Sequence, residues 1–148
     1  RMVVMERDAS DPRLTADWPI NSMIFNHRKI EIVTPVKNDL YVWCALTGEQ
    51  INVHDNVIDG NITAISLGLG ERRIFVGSDD GGINVLNYAC GARLKQLTPH
   101  TYEVNQIGFV PGKVLTLSTP EKLILIHDDN SAKKAVVLKR IDLSPAPG

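Results

Sequence analysis

Arg73-Ile74-Phe75-Val76-Gly77-Ser78-Asp79-Asp80-Gly81-Gly82-Ile83-Asn84-Val85-Leu86-Asn87 is the stretch on which the fold turns. Two aliphatic and aromatic runs flank Asp80-Gly81-Gly82, residues that tolerate the positive φ a two-residue hairpin turn needs. The stretch therefore predicts a strand, a tight turn and a strand. Its runs are apolar nearly throughout, as strands covered on both faces should be.

Working outward, similar runs lie at 29–34, 40–44, 62–67, 104–110, 113–117 and 123–127, each bounded by Gly, Pro, Asn or Asp. No segment holds a 3.6-residue apolar period for the ten or more residues a helix needs, so the class is all-β. An internal repeat narrows it further. Setting Thr47-Gly48 on Cys90-Gly91, an offset of 43, places Trp43 on Leu86, Leu40 on Ile83 and Val42 on Val85. A second step of 41 takes Leu86 to His127, Ile83 to Ile124 and Val85 to Ile126. A period of ~40–45 residues with four strands per unit is the signature of propeller blades, and a sandwich has no reason to keep it. The predicted strands are 21–25, 29–34, 39–44 and 49–54 in the first unit. In the second they are 62–68, 72–77, 82–87 and 92–97, and in the third 103–110, 113–118, 122–127 and 135–139. The organisation expected is a remnant of a preceding blade at 1–17, blades at 18–58, 59–101 and 102–141, and a linker at 142–148.

The second unit and the run from Gly91 to Asn105 resemble the WD40 repeat. A WD40 unit has a His before its first strand, an Asp in its second turn and Trp-Asp ending its third strand. His100, Asp80 and Trp43 fit those places, with Gly48, Gly91 and Asp128 as further repeat positions. The departures are Cys44 after Trp43, Leu86-Asn87 and His127-Asp128 for Trp-Asp, and Lys37 and Glu121 at the turn. No single unit carries the family's full set of hydrogen-bonded residues, so each blade is expected to rely on apolar packing more than on a buried polar network. The resemblance covers roughly residues 18–140 and implies a segment of a WD40-type β-propeller: about three four-stranded antiparallel blades plus a partial one. A finer resemblance, carried by 75–88 followed by Gly91-Ala92 and Pro99-His100, is to the large ciliary WD-repeat proteins. It implies an intracellular scaffold, cytoplasmic or cytoskeletal, within an axoneme.

Lys plus Arg is 16 and Asp plus Glu is 17, a net charge of −1. That balance argues against a generic nucleic-acid binder and gives no electrostatic reason to sit on an anionic membrane. No apolar run approaches the roughly 20 residues needed to span a bilayer. Met2-Val3-Val4-Met5 is too short for a signal-peptide core and reads as a strand cut by a chain boundary, so the sequence is expected to be a piece of something longer. Cys44 and Cys90 are too few for a disulfide framework and are expected as free thiols. Asn61-Ile62-Thr63 matches the glycosylation triplet by chance.

The candidate chemistry is thin. His27, His54, His100 and His127 fall in no metal-binding spacing, and His100 is expected as a structural hydrogen-bonding residue. Asp55, Asp59, Asp79, Asp80, Asp128 and Asp129 lack the calcium-loop pattern and suit turns instead. Gly68-Leu69-Gly70 lacks the ending of a phosphate loop, and Arg72-Arg73 suits a solvated strand start. Neither a catalytic residue, a metal nor a cofactor is expected. Loops between blades are where specificity should lie, and Trp18, Asn56, Asp59, Asp79 and Tyr102 are the candidate interface. The function expected is a non-catalytic scaffold for other proteins in a larger assembly, with no direct nucleic-acid, membrane or small-molecule partner. The alternative is a regulatory propeller of a larger multidomain enzyme, which a cluster of His, Asp or Glu lining a central channel would favour.

Overall fold

The computed structural model describes residue 20, residues 22–130 and residues 134–145. The expected remnant at 1–17, Trp18 and the last three residues of the expected linker lie outside the described residues. Among the described residues, strands β1 (Ile24–Asn26), β2 (Glu31–Val36), β3 (Asp39–Cys44) and β4 (Gln50–His54) form one antiparallel sheet in sequence order. Strands β5 (Ile62–Leu67), β6 (Arg73–Ser78), β7 (Ile83–Asn87) and β8 (Arg93–Gln96) form a second. Strands β9 (Gln106–Val110), β10 (Lys113–Ser118), β11 (Leu123–Asp128) and β12 (Val137–Asp142) form a third. The sole helical turn among the described residues is Leu69–Glu71, and no helix there is long and apolar enough to cross a membrane.

The expected strands differ from the observed ones by three residues at three ends and by two or fewer at the others. β9 starts at Gln106, three residues late, because the Val104 amide leaves the ladder and donates to the Ser78 carbonyl of the sheet before it, at 3.0 Å. β1 is trimmed to three residues. β12 runs to Asp142, into the expected linker, because its ladder with β11 continues to the Leu123–Asp142 pair.

The repeat inferred from sequence is visible in the backbone. Each third–fourth strand pair breaks register at one place: between Val42 and Trp43, between Val85 and Leu86, and between Ile126 and His127. These are the positions that the 43- and 41-residue offsets superpose. A bulge adds a residue and bends its strand, so its recurrence at equivalent sites is a built feature. The turn that follows also recurs. Gly48 donates to Cys44 O and Gly91 to Asn87 O, both at 2.8 Å, with φ of 77° and 74°. The residue after the bulge caps this turn where it has a side-chain oxygen. Asn87 Oδ1 accepts from the amides of Ala89 and Cys90, and Asp128 Oδ1 from that of Asn130.

The sheets stack head to tail. One face of the first sheet (Val33, Leu40 and Val42) packs on one face of the second (Ile74, Val76 and Leu86), with Val57 and Ile58 of the connection between them. The second sheet's other face (Phe75, Ile83 and Val85) packs on Val114 of the third and on Val104 of the connection that leads into it. Phe75 is fully buried and stacks on Phe109, with ring centroids 5.7 Å apart. Burying a side chain of this size contributes about 2–3 kcal/mol. Gly77 permits the fit: a Cβ there would lie 2.7 Å from Val104 Cγ1. The same backbone latch ties each sheet to the next. The Ile62 amide donates to Lys37 O at 2.7 Å just as Val104 donates to Ser78 O. At the opposite end Asp129 clamps the second and third sheets, its Oδ1 lying 3.4 Å from Lys95 Nζ and 3.8 Å from Arg73 Nη1.

Candidate functional site

Strand direction divides the loops between two ends. Loops 37–38, 55–61, 79–82, 97–105 and 119–122 share one end, and 27–30, 45–49, 68–72, 88–92, 111–112 and 129–136 share the other. The described candidate interface residues Asn56, Asp59, Asp79 and Tyr102 all lie at the first end; Trp18 lies outside the described residues. The structure separates their roles. Asn56 (φ 50°) is a turn residue: its amide donates to Asp39 Oδ1 at 2.8 Å and its Oδ1 accepts from Asn38 at 2.9 Å. Asp79 holds Asn61, accepting from its amide at 3.0 Å and from its Nδ2 at 3.2 Å. Asp59 is exposed, and Tyr102 keeps 58% of its surface open. These two are the side chains left to meet a partner.

Asp80 builds the turn beneath them. Its Oδ1 accepts from the Ser78 hydroxyl and from the Gly82 amide. Gly81, with φ 93°, lets loop 97–105 lie directly on the turn: His100 N donates to Gly81 O at 3.0 Å, and a Cβ would meet His100 O at 2.0 Å. Asp59 and Asp80 line a polar cleft of about 490 Å3 with Asn56, Asn84 and Arg93. Asn84 fixes its floor by donating to Val57 O at 2.9 Å.

Under this surface the third sheet holds a continuous polar chain, which corrects the expectation that every unit depends chiefly on apolar packing. His100 Nδ1 lies 2.9 Å from Glu121 Oε2, His100 Nε2 lies 2.8 Å from Thr116 Oγ1, and Thr116 Oγ1 lies 2.8 Å from His127 Nε2. Glu121 Oε1 also accepts from the Thr101 amide at 3.0 Å. One set of protons satisfies the chain. His127 Nε2–H donates to the Thr116 hydroxyl, the hydroxyl donates to His100 Nε2, and His100 Nδ1–H donates to the carboxylate. His127 Nδ1 is then a bare acceptor, and it finds no partner among the described residues. Burial, and secondarily the nearby His100, lower the His127 pKa from 6.5 to about 4, so the ring is neutral at pH 7. Burial works against the Glu121 carboxylate. The Thr101 amide and the His100 ring outweigh it and hold it below the usual carboxylate range.

The equivalent pairs in the other sheets explain the difference. In the first sheet Trp43 Nε1 donates to Thr34 Oγ1 at 2.9 Å. In the second, Val76 and Leu86 occupy the same two places without a polar atom. Sequence reading missed Thr34 and Thr116. The signal was present, since the step that carries Trp43 to His127 carries Thr34 to Thr116 within two residues, but the WD40 pattern puts its weight on the Trp-Asp positions. His54, at the end of β4, ties the first sheet to loop 88–92 of the second, packing over Gly91 and donating Nε2–H to Tyr88 O at 3.1 Å. Cys44 and Cys90 are both free, and among the described residues no group of three His, Cys, Asp or Glu side chains is placed to hold a metal ion.

No family model matches the chain. Over 97 residues it is 30% identical to cilia- and flagella-associated protein 337 B of Tetrahymena thermophila, a match that takes in 66% of this chain and 8% of that protein. Among solved structures it is similar to the computationally designed Ika4 protein, with TM-score 0.71, 21% identity, and 87% of this chain and 76% of that chain covered. It is also similar to the computationally designed Ika8 protein, with TM-score 0.68, 22% identity, and 83% and 36% covered. The likeness to the designed chains is one of fold alone. The likeness to the ciliary protein is compatible with a ciliary role, and this chain spans a small part of that protein's length.

Proposed function

We propose that the chain is a segment of a WD40-type β-propeller that acts as a non-catalytic scaffold, joining other proteins in a ciliary or flagellar assembly. The observation that carries this reading is the repeated unit: three sheets with the same bulge at the sequence offsets of the repeat, a side-chain-capped turn after it in the second and third, and the same backbone latch joining first to second and second to third. Contacts between sheets concentrate on their first strands, β1 with β5 and β5 with β9, which favours sheets fanning from a common axis. The buried titratable side chains of the third sheet close on one another beneath the surface, which favours a structural role for them. Asp59 and Tyr102 would supply the contacts to a partner, because a rigid stack holds their loops in place. The ciliary relative supports the location.

The test is retention. A fluorescent fusion expressed in ciliated cells is expected to stay with axonemes after detergent extraction. The pair Asp59→Arg and Tyr102→Ala should lower that retention while leaving the far-UV circular dichroism of the purified chain unchanged. Complete release by detergent, with no enrichment in cilia, would overturn the proposal.

A further inference from the structure

The near-neutral chain is electrically lopsided. Among the described residues, the loops of the end that carries Asp59 and Tyr102 hold six carboxylates and two lysines. The loops of the opposite end hold four cations and three carboxylates. At that second end, where the first two sheets meet, a notch of about 400 Å3 opens between loops 27–30, 68–72 and 88–92. Arg28, Lys29 and Arg72 line it, and all three are exposed. The acids beside them are already engaged. Glu71 accepts from the His27 amide and sits 3.5 Å from its ring, and Glu31 accepts from the Tyr88 hydroxyl at 3.1 Å. Lys29 Nζ lies 5.3 Å from the centre of the Tyr88 ring, and no side-chain partner for Arg72 is found among the described residues.

We infer that this notch is a docking site for an acidic peptide segment of a partner protein, with Arg28, Lys29 and Arg72 meeting its carboxylates. Three observations favour that ligand. The cations gather around one notch, whereas a nucleic-acid backbone requires a longer basic track. The aliphatic stems of the three cations, with Tyr88 and Ala89, give the notch apolar walls that suit side chains next to the acids. The rim is also pre-formed: Gly70 and Glu71 sit at φ 67° and 57°, held there by Arg28 Nη1 donating to Gly70 O and Asn26 Nδ2 donating to Glu71 O, both at 3.2 Å. A rim already ordered loses little entropy on binding. Arg72, which the sequence suggests is a solvated strand start, gains a role from this placement.

The inference deepens the scaffold reading and rests on it for the existence of a protein partner. Fluorescein-labelled octaglutamate, octaglutamine and octalysine are titrated into the full chain and followed by anisotropy. Octaglutamate is expected to bind in preference to the other two and to weaken as salt rises from 0.05 to 0.5 M, where screening is about three times shorter in range. Arg72→Glu and Lys29→Glu should each weaken it about fivefold or more, and Lys122→Glu at the opposite end should leave it unchanged. Equal binding of octaglutamine, or equal weakening by Lys122→Glu, would overturn the site. So would a DNA duplex that outcompetes octaglutamate and depends on the same residues, since it would assign the notch to phosphate. If axonemal retention persists while octaglutamate fails to bind, the scaffold stands and this surface falls; if retention fails while binding obeys the variants, the reverse holds.

Discussion

Replacing Thr116 with valine removes one oxygen and keeps the shape, yet it breaks the middle of the chain from His127 to Glu121. The site is fully desolvated: Thr116 is 1% exposed, His127 0% and His100 4%. Without the hydroxyl, His127 Nε2–H loses its acceptor and His100 Nε2 its donor. Each orphaned group costs about 1–3 kcal/mol, so the variant should lose about 3 kcal/mol. The other sheets provide internal comparisons at the same position. Thr34→Val strands only the Trp43 Nε1–H and should cost about 1–2 kcal/mol. Joining Thr116→Val with His127→Leu copies the Val76–Leu86 pair of the second sheet and removes the stranded donor, so it should recover roughly half the loss. Against a total stability of order 5–15 kcal/mol these differences are large. Urea unfolding at pH 7.5 and low micromolar concentration, followed by circular dichroism, reads them as shifts in midpoint at constant slope. A Thr116→Val cost no greater than that of Thr34→Val, or a double variant less stable than the single, would refute the polar chain as a source of stability.

Two further outcomes follow from the same geometry. His127 is held neutral, with its pKa near 4 when folded against 6.5 when unfolded. The unfolded chain therefore takes a proton between those values that the folded chain refuses, and stability should fall by about 3 kcal/mol as pH drops from 6.5 to 4. His127→Phe should flatten that slope, and an unchanged slope would show that other groups set it. Gly77→Ala drives a Cβ to 2.7 Å from Val104 and should cost about 1–3 kcal/mol, with Val104→Ala in the same chain restoring part of it; additive losses in a double-mutant cycle would rule out the contact.

The Asp80-Gly81-Gly82 turn, the alignment of Trp43 with Leu86 and His127, and the apolar runs between Gly and Pro were enough to place twelve strands in three groups of four. Strand pairing between chain neighbours depends on local turn chemistry and on burial of both faces, and both leave a direct mark on residue order. The ends of β9 and β12 were illegible, because the first is decided by a hydrogen bond to another sheet and the second by how far β11 offers a ladder. The sequence also suggested a ciliary likeness in 75–100, and a cilia- and flagella-associated protein is 30% identical to the chain over 97 residues.

The polar chain shows where sequence stops. His100, Thr116, Glu121 and His127 are spread over 28 positions. Beside the usual Trp they look like a broken set, and they close only because β10 and β11 bring Thr116 and His127 to the same face as loop 97–105. The notch at Arg28, Lys29 and Arg72 and the split of charge between the two ends have the same origin. Composition records only a net charge of −1. Which side chains share a surface is set by strand direction and by stacking one sheet on the next, and those are properties of distance in space that order along the chain does not carry.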